Sequence, residues 1–181
     1  MLIDAAFLNF VITDIKNYFE KTLQRSLQEI DLSLFTSYLT LDAGINEGKN
    51  EVQFLFVYDK ESRHLQHCQP SDLQEELNGV AFQSPYGEFS FAGVPSEGMV
   101  SREDLFMDLL SVVSDSVDVK RMIVVSFNEE YGKKVTDVLQ GLKGKEVMQF
   151  RMNEPEIPVN YKWDMLAFPV MHSLGIRAEE L

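Results

Sequence analysis

The sequence is poor in the residues that staple small extracellular folds and in those that hold polyanions. It has a single cysteine, Cys68, so no disulfide can form within the chain, which suits a reducing compartment. Positive charge is scarce: 16 Lys and Arg against 29 Asp and Glu leave a formal net charge of −13. Such a surface repels a phosphate backbone unless a local basic patch overrides it. The nearest cationic groupings, Lys133-Lys134 and Lys143 with Lys145, sit among carboxylates. Nucleic acid and anionic membrane are therefore not expected partners.

Long apolar runs are missing as well, since charged or strongly polar residues interrupt every one before it reaches the length of a bilayer span. The segment Met1 to Ile12 is apolar, but it carries Asp4, lacks leading basic residues and has no small-residue cleavage site, so it reads as mature helix and not as a secretory signal. A cytoplasmic protein is expected. No glycine-rich loop is present. Gly132 stands alone, which excludes the dinucleotide fingerprint and the P-loop, and no Gly-x-Ser-x-Gly elbow surrounds any serine.

What the chain does have is apolar mass. Of its 181 residues 45% are apolar, with 13 Phe, enough for one sizeable core. A single domain over 1–181 is expected, in which residues 153–181 either fold back to complete the core, the favoured reading, or stand out as a C-terminal arm.

The clearest pattern runs from Lys120 to Met152. Arg121 to Phe127 is a nearly unbroken apolar run, as in a strand covered on both faces. From Asn128 the period changes, placing Tyr131, Val135, Val138, Leu139 and Leu142 on one helical stripe, with Asn128 as cap and Gly144 as stop. Lys145 to Met152 returns to period two. The result is a βαβ unit, whose crossover should be right-handed.

Upstream, Ile12, Ile15, Phe19, Leu23, Leu27 and Ile30 recur at helical spacing and predict a long amphipathic helix. Ser37–Gly44 and Glu51–Asp59 flank a polar loop and read as a β-hairpin, although Leu32, Leu34 and Phe35 fit a continued helix equally well. Pro70–Leu77 carries the start signals of a short helix that Asn78-Gly79 stops. Val80–Ser84 and Glu88–Val94, joined by Pro85-Tyr-Gly87, form a second hairpin. Ser101 opens a helix that ends near Asp115. Tyr161–Leu174 fits a strand or a short helix broken at Pro169. The expected fold is α+β or mixed α/β: a mixed sheet of two antiparallel hairpins plus a βαβ unit, with helices packed on it.

Three groupings carry chemistry. Strand ends come first, because open sheets bind ligands beyond the carboxyl ends of parallel strands. That edge holds Ser126, Asn128 and Glu129 after the first strand of the unit and Asn153 and Glu154 after the second, with Asp59 joining if its strand runs the same way. A hard cation held by carboxylates is one use of it; the plainer one is that Glu129 and Glu130 stabilise the helix dipole, and in doing so repel phosphate. His64-Leu-Gln-His67-Cys68 puts three ligand-type side chains close together, His64 and Cys68 sharing a face with His67 beside them if that segment is helical, but matches no standard zinc spacing, and His172 is remote. A solvated connector with a partly buried thiol fits it better.

The third grouping is the terminal segment, whose Trp163, Met165, Leu166, Phe168, Val170, Met171 and Leu174 either complete the core or form an interaction surface. No residue is assigned a catalytic role, no metal site is assigned and no cofactor is implied. The leading expectation is a domain acting through protein contacts, as with a partner or as a homodimer. The alternative is an enzyme or a binder of a small ligand or divalent metal at the strand ends near Asp59, Glu129 and Glu154.

Overall fold

A computed structural model describes residues 1–181. Its frame is a seven-stranded sheet in the order β5-β6-β3-β1-β7-β8-β9. These strands are β1 (Leu2–Asp4), β3 (Asn50–Tyr58), β5 (Ala81–Ser84), β6 (Gly87–Pro95), β7 (Arg121–Val125), β8 (Glu146–Arg151) and β9 (Lys162–Met165). Only β5 and β6 pair antiparallel; every other neighbouring pair in the sheet is parallel. A separate short ladder joins β2 (Ile30–Asp31) to β4 (Cys68–Gln69). The helices are α1 (Ala5–Leu23), α2 (Leu32–Asp42), α3 (Arg102–Asp115), α4 (Asn128–Gly141) and α5 (Ala167–Ser173).

Alternation along the strands explains why helices lie on both faces. Ile3, Phe54, Phe56, Ile123, Val125 and Phe150 point to the larger core, shared with α1, α2 and α5. Leu2, Val57, Met122 and Val124 point the other way, to a smaller core with Phe106 and Leu110 of α3 and Tyr131, Val135 and Leu139 of α4. A strand apolar on both faces must be covered on both. The single domain is thus a three-layer α/β sandwich.

The βαβ unit stands as the sequence predicts it, with β7 and β8 adjacent and parallel around α4. The hairpin of β5 and β6 also forms, and Gly87 is needed at its turn: φ is +122°, and a Cβ there would lie 2.0 Å from the Asn50 carbonyl oxygen.

The first expected hairpin does not form. Ser37–Gly44 belongs to α2, because Asp31 caps a helix there, its Oδ1 accepting from the amides of Ser33 at 2.9 Å and Leu34 at 3.2 Å. Leu32, Phe35 and Leu39 then form a buried helical stripe that overrides the period-two look of Ser-Tyr-Leu-Thr-Leu. Strand β3 pairs instead with β1 and β6.

The first helix is also displaced. It runs from Ala5 to Leu23, preceded by the three-residue β1 at the centre of the sheet. Gln24 turns left-handed at φ +52° and ends it. Leu27 and Ile30 are buried without being helical, the turn being held by Lys16 Nζ donating to the Leu27 carbonyl at 3.0 Å and Glu20 accepting from the Leu27 amide at 2.8 Å. Pro70–Leu77 shortens to one wide helical turn at Leu73–Leu77, capped by Asp72. Asn128 does not cap α4; Phe127 holds that position, and Asn128 Oδ1 accepts from the Ser126 hydroxyl at 2.8 Å.

Residues 153–181 fold back onto the domain, the favoured of the two readings. They supply β9, paired with β8, and α5, and they place Leu166, Val170 and Leu174 at 0% exposure in the larger core. Strand and helix both occur, Pro169 lying in the first turn of α5, where a missing amide costs no helical hydrogen bond.

Candidate functional site

Strand order fixes where a site can lie. From the central β1 the chain moves out one way, through β3 to β6, then crosses to the far side of β1 and moves out the other way, through β7 and β8 to β9. Connections leaving neighbouring strands in opposite directions open a crevice at the carboxyl edge of the sheet, between β1 and β7.

Asp4 ends β1 at that crevice and is fully buried. Its Oδ1 caps α1 by accepting from the Phe7 amide at 3.1 Å. Its Oδ2 accepts from Arg102 Nε at 3.0 Å and from the Tyr131 hydroxyl. Arg102, the first residue of α3, also reaches Asp59 Oδ2 at 2.5 Å through Nη1 and Glu130 Oε2 at 2.6 Å through Nη2. One guanidinium therefore ties together the ends of β1 and β3 and the starts of α3 and α4. The Phe127 ring centroid lies 5.6 Å from its Cζ.

Burial works against a charged Arg102, but Asp4, Asp59 and Glu130 outweigh it and hold the guanidinium above its ordinary pKa. Burial, then the Asp4 charge, pushes the Tyr131 phenol up, so it stays a donor. For Asp59 burial raises the pKa, and hydrogen bonds from Ser62 and Arg102 more than offset it, leaving the carboxyl below its usual range. Tyr131 reaches Asp4 from a backbone position outside the helical region, φ −142° and ψ 22°, which kinks α4 behind its first turn.

Beside this network lies an open cleft of about 350 Å³, walled by Ala6, Asn9, Glu61, Ser62, Gln66 and Phe127 together with Asp59, Arg102 and Glu130. Its size falls within the range of small-molecule sites, about 300–1,000 Å³. The helix starts at this edge are already supplied with negative charge or a cap: Asp4 for α1, the Ser101 hydroxyl with Glu103 and Asp104 for α3, and Glu129 and Glu130 for α4. A phosphate would find no free helix dipole here.

The residues expected at the strand ends separate. Asp59 is in the cleft, as it would be if β3 ran parallel to the βαβ strands, which it does. Glu129 is exposed outside the network, and its neighbour Glu130 takes the place beside Arg102. Glu154 lines a different hollow, past the end of β8, and Asn153 is exposed. Ser126 and Asn128 join the buried Gln149, whose Nε2 donates to both at 3.3 Å. Asp59, Glu129 and Glu154 thus do not converge, and nowhere do three His, Cys, Asp or Glu side chains stand grouped to hold a metal ion.

The His64–Cys68 segment is not helical. His64 Nε2 sits 3.2 Å from Asp72 Oδ2, while His67, at φ +58°, turns its Nδ1 to within 3.7 Å of Glu29. Cys68 is buried in β4, and burial, with the Glu29 charge adding to it, pushes its thiol up to about 12. His172 stacks on Tyr38 with ring centroids 4.2 Å apart. Sequence reasoning missed Asp4, Arg102 and Tyr131. The available signals were an acidic residue inside an apolar amino-terminal run and an arginine just behind a serine cap.

The whole chain, residues 1–181, matches the model of one family, described as Family of unknown function (DUF6621). The chain belongs to that family. No curated protein and no solved structure matches it. Membership brings no residue roles with it, so the reading of the site stands on geometry. No helix is long and apolar enough to cross a membrane.

Proposed function

We propose that this protein binds a small polar ligand in the cleft at the carboxyl edge of its sheet. The observation that carries the reading is the position of Arg102, a largely buried cation shared by carboxylates from separate elements, at the mouth of the crevice that the strand order creates. Convergent charged groups beside an open hollow favour ligand binding in a fold of this type. With Asp59, Glu61 and Glu130 on its walls, the cleft favours neutral or cationic compounds over nucleotides. The expected cytoplasmic setting is in keeping with the one buried thiol.

A thermal-shift panel of guanidinium compounds, neutral polar compounds, divalent metals and nucleotides tests the proposal. Stabilisation by members of the first two classes, lost on filling the cleft with Ala6→Trp, supports it. A nucleotide hit, or a hit indifferent to Ala6→Trp, counts against it.

Contact with a protein partner or a second copy is the second reading. One observation favours it: Met99 is fully exposed and Val100 nearly half so, in the loop that leads into Arg102. The segment from Trp163 to Leu174 contributes less than its composition suggests, because its large apolar residues, Phe168 apart, are buried or partly buried.

A further inference from the structure

The crossover from β8 to β9 differs from the others on the α3 and α4 side of the sheet. Parallel neighbours need a connection of about a dozen residues or more, usually a helix. Residues 152–161 are too few for one, and Pro155 and Pro158 forbid it. Helix α4 packs over β7 and β8, and an irregular proline segment takes the place of a helix beside β9, tied to α4 by Asn160 Nδ2 donating to the Gln140 carbonyl at 3.0 Å.

This arrangement leaves a hollow of about 390 Å³ between the segment and β9. Tyr161, in the bend before β9, and Trp163, within β9, both line it. The Tyr161 hydroxyl donates to Gln149 Oε1 at 2.9 Å, which fixes the ring. Pro155 and Pro158 line it as well, and Glu154 and Glu156 supply its charge. Neither carboxylate is in an ion pair, and no lysine, arginine or histidine lines the hollow.

Indole and phenol faces attract cations through their quadrupoles, and proline rings offer apolar contact without competing donors. Two unpaired carboxylates add long-range attraction for the same sign. A hard metal ion asks for six or more oxygen ligands, and the hollow does not provide them. A bulky, weakly hydrated cation loses little on leaving water and meets everything the walls supply. We propose that this hollow is a binding site for an alkylated ammonium group, separate from the carboxyl-edge cleft and independent of what that cleft binds.

Trp163 is the one tryptophan in the chain, so its emission reports this site alone. Full-length protein is titrated at constant ionic strength with choline and with its uncharged isostere, in which carbon replaces the nitrogen. The expected result is a saturable change in emission with choline and binding roughly tenfold weaker for the isostere, as a cation–π and charge contribution of that order implies. The double variant Glu154→Gln, Glu156→Gln should weaken choline by a similar factor while leaving the unligated emission unchanged. A short peptide carrying trimethylated lysine forms a second arm: tighter binding than choline assigns the ammonium to a protein tail, weaker binding to a free metabolite. No emission change with choline, or equal binding of the isostere, overturns the proposal.

Discussion

Arg102 Nε and Asp4 Oδ2 meet at 3.0 Å across 98 positions of sequence, one residue ending the central strand and the other starting α3. Asp4 is wholly buried and the Arg102 side chain is 13% exposed. Breaking such a pair by removing one partner leaves the other charge buried and unanswered, at a cost of about 3–5 kcal/mol. Arg102→Leu is therefore expected to lower stability by that order in urea unfolding. Glu130→Gln, at the half-exposed rim of the network, should cost under about 1 kcal/mol. Equal effects of the two substitutions would mean that the network does not centre on Asp4.

The carboxyl-terminal residues give a second test. A chain ending at Glu156 loses β9 and α5 with the buried Leu166, Val170, Leu174 and Ile176. Single truncations of such core residues cost about 2–5 kcal/mol, and the sum exceeds the stability of an ordinary domain, about 5–15 kcal/mol. The shortened chain is expected to show no cooperative thermal transition by circular dichroism. Within the segment, Leu166→Ala should destabilise by about 2–5 kcal/mol, whereas Phe168→Ala, at a site 56% exposed, should fall within about 0.5 kcal/mol of the parent.

Cys68 offers a third. Buried in β4, with a thiol at about 12, it presents almost no thiolate near neutral pH. Labelling by a thiol reagent should be slow in native protein and fast in denaturant, with the native rate following the opening of the β2–β4 ladder. Rapid native labelling would contradict the packing of that ladder.

The last turn of the chain is pH-sensitive on the acid side. Arg25 donates to both oxygens of Glu180, at 3.0 and 2.8 Å. That pair, with the Arg177 amide and side chain, lowers the Glu180 carboxyl from 4.5 to about 2. A depressed folded-state value means that the latch contributes fully above the unfolded pKa and is lost as pH falls through the folded one. Loosening is therefore expected between about pH 4.5 and 2, followed by the Glu180 carboxyl carbon shift in NMR. A midpoint near 4.5 in the parent protein, or an unchanged midpoint in Arg25→Gln, would contradict the latch.

Much of the frame was legible because its signals were local. The run Met122 to Val125 reads as a doubly covered strand, the stripe of Tyr131, Val135 and Leu139 as the α4 face, and Pro85-Tyr-Gly87 as a turn, and each stands so in the structure. The central strand was hidden, since Leu2-Ile3-Asp4 is too short for a period and runs straight into apolar helix. Region 37–44 misled because period two and a helical stripe coexist there, and the deciding signal was the Asp31 cap. Most of the site was illegible for a different reason. Asp4, Asp59, Arg102 and Glu130 come together only through the order of strands in the sheet, which no local spacing encodes. Asp59 alone was within reach, by supposing its strand parallel to the βαβ unit.

The most direct test of ligand binding at the carboxyl edge is amide chemical-shift mapping of labelled protein with the best compound from the thermal-shift panel. Shifts gathered at Ala6, Asn9, Glu61, Ser62, Gln66 and Phe127, and absent in Ala6→Trp, are the predicted result. Shifts centred elsewhere on the molecule, with these six amides unmoved, would contradict it.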